Sequence, residues 1–167
     1  MTDLPVYTQF GFTDEQWGLL VGLPQSVVTA ASAAERDGTR RTRAEGAAGL
    51  DAIARGRESA SRLVAAVAAE LVVQVGDPEL GEELPLIEPL EPSAMIADVL
   101  ERARVVSVLL DNTVDEGEAG AYRHWLVTLA DEVVGAALSG GKFGIGGELV
   151  SEAERRFRDE LARALED

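Results

Sequence analysis

The sequence predicts an all-α fold, a helical bundle of six to seven helices. Apolar residues form 46% of the chain but aromatic residues only 5%, and Ala, Val and Leu supply most of the apolar content. Small and aliphatic side chains suit packed helices better than sheets, which favour β-branched and aromatic residues. Apolar residues also recur about every 3.6 positions between breaks that contain Gly or Pro, the spacing of amphipathic helices. No segment is predicted to be a strand.

Length and charge limit the classes of protein to which the chain can belong. Its 167 residues suffice for one compact domain with a hydrophobic core. The formal charge of −15 favours solubility and makes nucleic acid an unfavourable partner, because phosphate contacts need a positive face. The absence of cysteine excludes disulfides and thiolate metal sites. Lys142 is the only lysine among many arginines, a bias that indicates a GC-rich bacterial genome.

The sequence also predicts a cytoplasmic protein. Residues 1–5 lack the basic and apolar regions of a signal peptide. The longest apolar stretch, from Leu63 to Val75, is interrupted by Glu70 and Gln74. It is also shorter than the roughly 20 residues that a membrane-spanning helix needs. We therefore expect no membrane association.

A strong start signal for the first helix lies at Thr13. Its hydroxyl is placed to cap the first turn, and Gln16 is placed to complete a capping box. Phe12 and Trp17 occupy the two positions of a hydrophobic staple. We expect this helix to end near Val21.

Gly22 and Pro24 predict a break after that helix, because proline removes a helical hydrogen bond and is best tolerated in a first turn. A new helical segment is expected from Pro24 to about residue 34. Two further helices are predicted, one from about Thr42 to Gly56 and one from about Glu58 to Val75. The last of these is apolar nearly all round, so it is predicted to be the central helix.

Residues 76–92 form an acidic, proline-rich linker, which cannot be regular helix. We therefore predict a single helical domain over residues 1–167, with halves of about 12–75 and 93–166 joined by this linker. Both halves contain an Ala-rich helix, a glycine turn and a capped helix. An internal duplication is therefore an open alternative.

Three helices are predicted in the second half. Ser93 is expected to cap the fourth helix and Ser151 the last, where Glu154 completes a capping box. The core-facing residues follow from the helical spacing. They are Met95, Ile96, Val99, Leu100, Ala103, Val106 and Leu110 in the fourth helix, Tyr122, Trp125, Leu126, Leu129, Val133, Val134 and Ala137 in the fifth, and Ala153, Phe157, Leu161 and Leu165 in the last.

The glycine-rich loop 140–147 is the most unusual local feature. Its exposed backbone N–H groups and the helix that follows favour anions, so it is the candidate ligand site. The candidate ligand-binding residues are Gly141, Lys142, Phe143, Gly144, Gly146, Gly147 and Ser151. The alternative is a tight connection in which Phe143 and Ile145 plug the bundle. A phosphate-binding loop would need a preceding strand and a Ser or Thr after the lysine, and neither is found.

No catalytic residue, metal site or cofactor site is predicted. His124 is the only histidine and falls on the polar side of its helix with Thr128 and Asp131. The turn that holds Asp111, Asp115, Glu116 and Glu118 lacks the spacing of a calcium loop. The arginines between residues 36 and 62 are expected to pair with carboxylates, and the acidic linker from Asp77 to Glu91 is the candidate partner within the chain.

Two motifs resemble those of known families. The segment from Tyr122 to Glu154, with its Ser-Gly-Gly turn and Phe-Gly-Ile-Gly-Gly loop, resembles a group of uncharacterised bacterial all-helical proteins of unknown function. The start Phe-Thr-x-Glu-x-Trp is similar to that of the same group. Asp37-Gly38 is also similar to the turns of tellurite-resistance-B-like helical bundles, a family that implies a metal or stress-response role. Ser139-Gly140 lacks the acidic residue of those turns, so no metal site is predicted from this resemblance.

We therefore predict a non-enzymatic interaction or regulatory protein of the bacterial cytosol. Its partner is expected to be another protein or a second copy of the chain, seen as an exposed apolar patch. The alternative is a bundle that binds a small ligand or a metal ion through loop 140–147. Such a bundle should have a pocket lined by the loop and by an aromatic residue such as Trp125 or Tyr122.

Overall fold

The computed structural model describes residues 4–33, 39–75, 91–139 and 152–166. Within these ranges the chain forms six α-helices and no strand, which confirms the predicted all-α bundle. The helices are α1 (Asp14–Ala33), α2 (Thr39–Arg55), α3 (Arg62–Val75), α4 (Pro92–Thr113), α5 (Glu116–Ser139) and α6 (Glu152–Glu166). Short 3-10 helices, Val6–Phe10 and Gly56–Glu58, precede α1 and α3.

The start of α1 has the capping box and the staple that the sequence predicts. The Gln16 N–H donates to the Thr13 hydroxyl at 3.2 Å, and the Thr13 N–H donates to the Gln16 side-chain oxygen at 3.0 Å. The rings of Phe12 and Trp17 lie 6.3 Å apart and are both buried. These contacts satisfy backbone donors that a helix start otherwise leaves free.

Helix α1 continues through Gly22 and Pro24, so the predicted break is wrong. Pro24 has no N–H to donate to the carbonyl of Leu20, four residues earlier. The Tyr122 hydroxyl of α5 donates to this carbonyl instead, at 2.7 Å. A side chain from a distant helix therefore supplies the hydrogen bond that the proline removes.

The starts of α2 and α4 also differ from the prediction. Helix α2 begins at Thr39, so Thr42 lies inside the helix and cannot be its N-cap. Arginine is a good helix former, and this favours the extra turn. In α4 the N-cap is Glu91 and Pro92 takes the first helical position, where its fixed φ and missing N–H cost nothing. Ser93 therefore lies inside the helix.

Helix α3 begins at Arg62, four residues later than predicted, because residues 56–58 form a 3-10 helix. Ser61 caps it, and its hydroxyl accepts the N–H of Val64 at 3.1 Å. The prediction that α3 is the central helix is wrong, since Val73 on its outer side is 82% exposed. Helices α1 and α5 are central instead, because each packs against all five other helices.

One hydrophobic core contains residues from both predicted halves. It joins α1, α2 and α3 to α4, α5 and α6. In α4 to α6 this core contains most of the residues that the helical spacing predicts to be buried. They are Met95, Val99, Ala103, Val106, Leu110, Tyr122, Trp125, Leu126, Leu129, Val133, Phe157, Leu161 and Leu165.

In α6 the buried face differs from the prediction by one position. Ala153 is exposed and Glu154 is buried. Glu154 lies three residues before Phe157 and seven before Leu161, so it falls nearer the centre of the buried face. Among the described helices, none has the length and the apolar run that a membrane span requires.

Candidate interaction surface

The predicted ligand-binding residues of the glycine-rich loop lie outside the described residues. They are Gly141, Lys142, Phe143, Gly144, Gly146, Gly147 and Ser151. His124 is exposed on α5, as predicted. Its backbone carbonyl accepts the Thr128 hydroxyl at 2.9 Å.

The two aromatic residues expected near a ligand pocket are both in the core. Tyr122 is fully buried and meets Trp125 edge-on, with ring centroids 6.0 Å apart. Burial raises the pKa of the Tyr122 hydroxyl well above its ordinary value. Both rings therefore stabilise the packing of α5 and do not line the cleft described below.

The acids of the turn between α4 and α5 have separate structural roles. Asp115 caps α5, because its carboxylate accepts the Glu118 N–H at 2.9 Å. The Glu118 carboxylate accepts the backbone N–H groups of Arg62 and Leu63, at 3.2 and 3.1 Å, and the Ser61 hydroxyl. Glu118 therefore caps α3, a helix that lies far away in the sequence. In the described ranges no three His, Asp or Glu side chains are grouped to hold a metal ion.

Of the basic cluster between residues 36 and 62, the structure describes the side chains of Arg55, Arg57 and Arg62. Arg55 forms an ion pair with Glu132 of α5 at 2.7 Å, as the predicted carboxylate pairing requires. The Arg62 guanidinium lies 5.8 Å from the centre of the Phe10 ring, within the range of a cation–π contact.

A polar junction around the buried Ser107 joins α4, α5 and α6. The Ser107 hydroxyl donates to the backbone carbonyl of Leu165 at 2.7 Å. Arg123 donates to the Ser107 hydroxyl from Nε and Nη2, at 3.1 and 2.8 Å. Its Nη2 also contacts the Asp111 carboxylate at 2.6 Å. Because Ser107 is almost fully buried, this network holds the three helices in a fixed relation.

An open cleft of about 500 Å³ adjoins this junction. Its lining comprises Asp111, Val114, Glu116, Ala119, Arg123, Leu165 and Glu166. Three carboxylates face one guanidinium, so the cleft attracts positively charged groups. Its apolar residues offer a surface for the carbon chain of such a group.

The outer face of α4 leads to the same cleft. Val105 and Val108 are 51% and 55% exposed, on the side of the helix opposite to Val106 and Leu110. Arg104 and Asp111, both exposed, lie beside this pair of valines. The sequence contained this signal, because a helical projection of α4 places the two valines away from the buried face. We call Arg104, Val105, Val108, Asp111 and Asn112 the α4 outer face.

Comparisons with known proteins do not extend this description. The chain matches no protein-family model, no curated protein and no solved structure. The resemblances drawn from the sequence motifs therefore stay predictions.

Proposed function

We propose that the protein is a non-enzymatic interaction protein that docks a partner on the α4 outer face and the adjoining cleft. The observation that supports this most directly is the half-exposed pair Val105 and Val108 on an otherwise polar helix surface. These two apolar side chains, framed by the polar residues Arg104, Asp111 and Asn112, form a small surface that a partner can cover.

The cleft supplies the electrostatic part of this docking site. Asp111 belongs to both surfaces, since it lines the cleft and flanks the valines. The excess of carboxylates selects a partner that presents a basic group beside apolar ones. The formal charge of −15 also repels nucleic acid, so a protein partner is favoured over a nucleic acid.

A structural role for the polar junction also fits a non-enzymatic protein. The Ser107 hydroxyl already donates to Leu165 and accepts from Arg123, so it is not placed as a nucleophile. We also propose that the protein works in the cytoplasm of a bacterium, for which the composition and the motif resemblances are the support.

Comparative capture tests the proposal. Purified wild-type protein and a Val105→Gln, Val108→Gln double variant are immobilised and incubated with a cell lysate of the source organism. A Val73→Gln variant is the matched control, since Val73 is an exposed valine on α3. We expect a partner that the wild type and the control retain and the double variant loses. Equal capture by all three proteins would contradict docking on α4.

A further inference from the structure

We propose that the partner of the α4 outer face is a second copy of this chain. The two α4 helices run antiparallel, with a two-fold axis between Val105 and Val108. This inference rests on the proposed function, because it names the occupant of the same surface. It follows from three pairs of exposed residues whose positions are self-complementary.

The first pair is apolar. Val105 and Val108 are three residues apart, so they lie on one face of the helix. A two-fold axis between them places Val105 of each copy against Val108 of the other. Both half-exposed side chains then lose water, which is the favourable term in association.

The second pair is charged and fixes the direction of the helices. Arg104 and Asp111 are seven residues apart, so both flank the valines on the same side. In the antiparallel arrangement Arg104 of each copy meets Asp111 of the other. Asp111 holds Arg123 of its own chain through Oδ1, but its side chain is 63% exposed, so its second oxygen can accept from Arg104. A parallel arrangement would put Arg104 and Asp111 of the two copies on opposite sides of the contact, so these ion pairs could not form. Arg104 has no ion pair within the part of the chain that the structure describes.

The third pair is polar and lies at the two ends of the contact. The same axis brings Glu101 opposite Asn112 of the other copy. The Asn112 amide donates to the carbonyl of Val108 at 2.9 Å, and its second N–H remains to donate to a carboxylate. The contact extends from residue 101 to residue 112, about 16 Å along the helix.

The contact area is small, so the dimer is expected to be weak and reversible. Interfaces that bury less than about 1,200 Å² are typical of transient complexes. Repulsion between two acidic chains weakens it further. Salt near 0.15 M limits this repulsion to about 8 Å, while the direct contacts persist.

Sedimentation equilibrium tests the pairing on the 167-residue chain at this salt concentration. We expect a reversible monomer–dimer equilibrium at protein concentrations up to about 1 mM. Val108→Glu should raise the dissociation constant at least about tenfold, because it places carboxylates at the two-fold axis. Val73→Glu, the exposed control on α3, should leave it unchanged. A wild type that is monomeric throughout this range would overturn the inference.

Two charge-reversed variants give a test that does not depend on loss of binding. Arg104→Asp alone opposes two carboxylates across the axis, and Asp111→Lys alone opposes two cationic groups, so each variant should be monomeric. An equal mixture restores two attractive pairs, and we expect it to form a heterodimer about as tightly as the wild type. Circular dichroism and thermal unfolding of each variant check that it is folded, above all for Asp111→Lys, which puts a second cation beside Arg123 of the same chain. A mixture that stays monomeric while the wild type dimerises would overturn the antiparallel pairing.

The outcomes separate this inference from the proposed function. A monomeric wild type together with capture that depends on Val105 and Val108 overturns only the second copy as partner. The absence of both dimerisation and such capture would overturn the inference and the proposed function together.

Discussion

The Tyr122 hydroxyl on α5 donates a 2.7 Å hydrogen bond to the carbonyl of Leu20 on α1. In an uninterrupted helix this carbonyl would accept the N–H of residue 24, which is proline in this chain. Leu20 and Tyr122 are both fully buried, so no water replaces the missing donor. This hydrogen bond therefore allows α1 to continue through Pro24 inside the core.

We expect Tyr122→Phe to lower the free energy of unfolding by about 1–3 kcal/mol, the cost of a buried carbonyl without a partner. Urea unfolding followed by circular dichroism measures the change. Pro24→Ala restores an N–H at this position, so in that background Tyr122→Phe should cost about 1 kcal/mol less. Equal costs in both backgrounds would show that the hydroxyl does not compensate for the proline.

Stability at alkaline pH should depend on the same tyrosine. Burial raises the pKa of Tyr122 well above its ordinary value of 10.0 in the folded protein, whereas the unfolded chain ionises near that value. The stabilising contribution is therefore complete below about pH 10 and is lost as the pH rises through the folded pKa. We expect the free energy of unfolding of Tyr122→Phe to fall less than that of the wild type between about pH 8 and pH 11. If the free energies of unfolding of the two proteins fell equally between these pH values, Tyr122 would not be the cause of the alkaline loss of stability.

The cap that Glu118 provides for α3 should be measurable. Glu118→Gln removes the negative charge beside the N–H groups of Arg62 and Leu63, and we expect a loss of about 0.5–2 kcal/mol. Hydrogen exchange of these two amides should accelerate. Glu116→Gln is the control, because it removes a charge from the same first turn of α5 without touching α3. It should change stability by less than about 0.5 kcal/mol.

Two glycines should respond to alanine in opposite directions. A Cβ at Gly49 would approach the side chains of Val28 and Val133, with Cγ2 atoms at 2.9 and 3.1 Å. We expect Gly49→Ala to cost about 1–3 kcal/mol through overpacking between α1, α2 and α5. A Cβ at Gly120 would meet nothing within 4 Å, so Gly120→Ala should add about 0.5–1 kcal/mol. Melting temperatures of the two variants check both signs.

The contacts at the start of α1 could be predicted from the sequence. The capping box of Thr13 and Gln16 depends on residues three positions apart, and the structure has it as predicted. The break at Pro24 was predicted wrongly because the compensating hydroxyl is 102 positions from Leu20. Local preferences indicate what a segment would do alone, and tertiary contacts decide between alternatives of similar energy.

The candidate surface could be predicted only in part. Asp111 was identified within an acidic turn, but its partner Arg123 depends on how α5 packs against α4. The exposure of Val105 and Val108 follows from the same helical spacing that gave the buried residues of α4. The cleft requires three helices to meet, and no local pattern encodes that meeting.

The cap of α3 has a consequence for how the protein is made. The ribosome releases Ser61, Arg62 and Leu63 well before it has synthesised Glu118, which accepts their hydrogen bonds. During synthesis the first turn of α3 therefore relies on water and on the Ser61 hydroxyl. A nascent chain that stalls before α5 would hold both a frayed α3 and an unsatisfied carbonyl at Leu20. Late translation of α5 is thus the step that completes the amino-terminal helices.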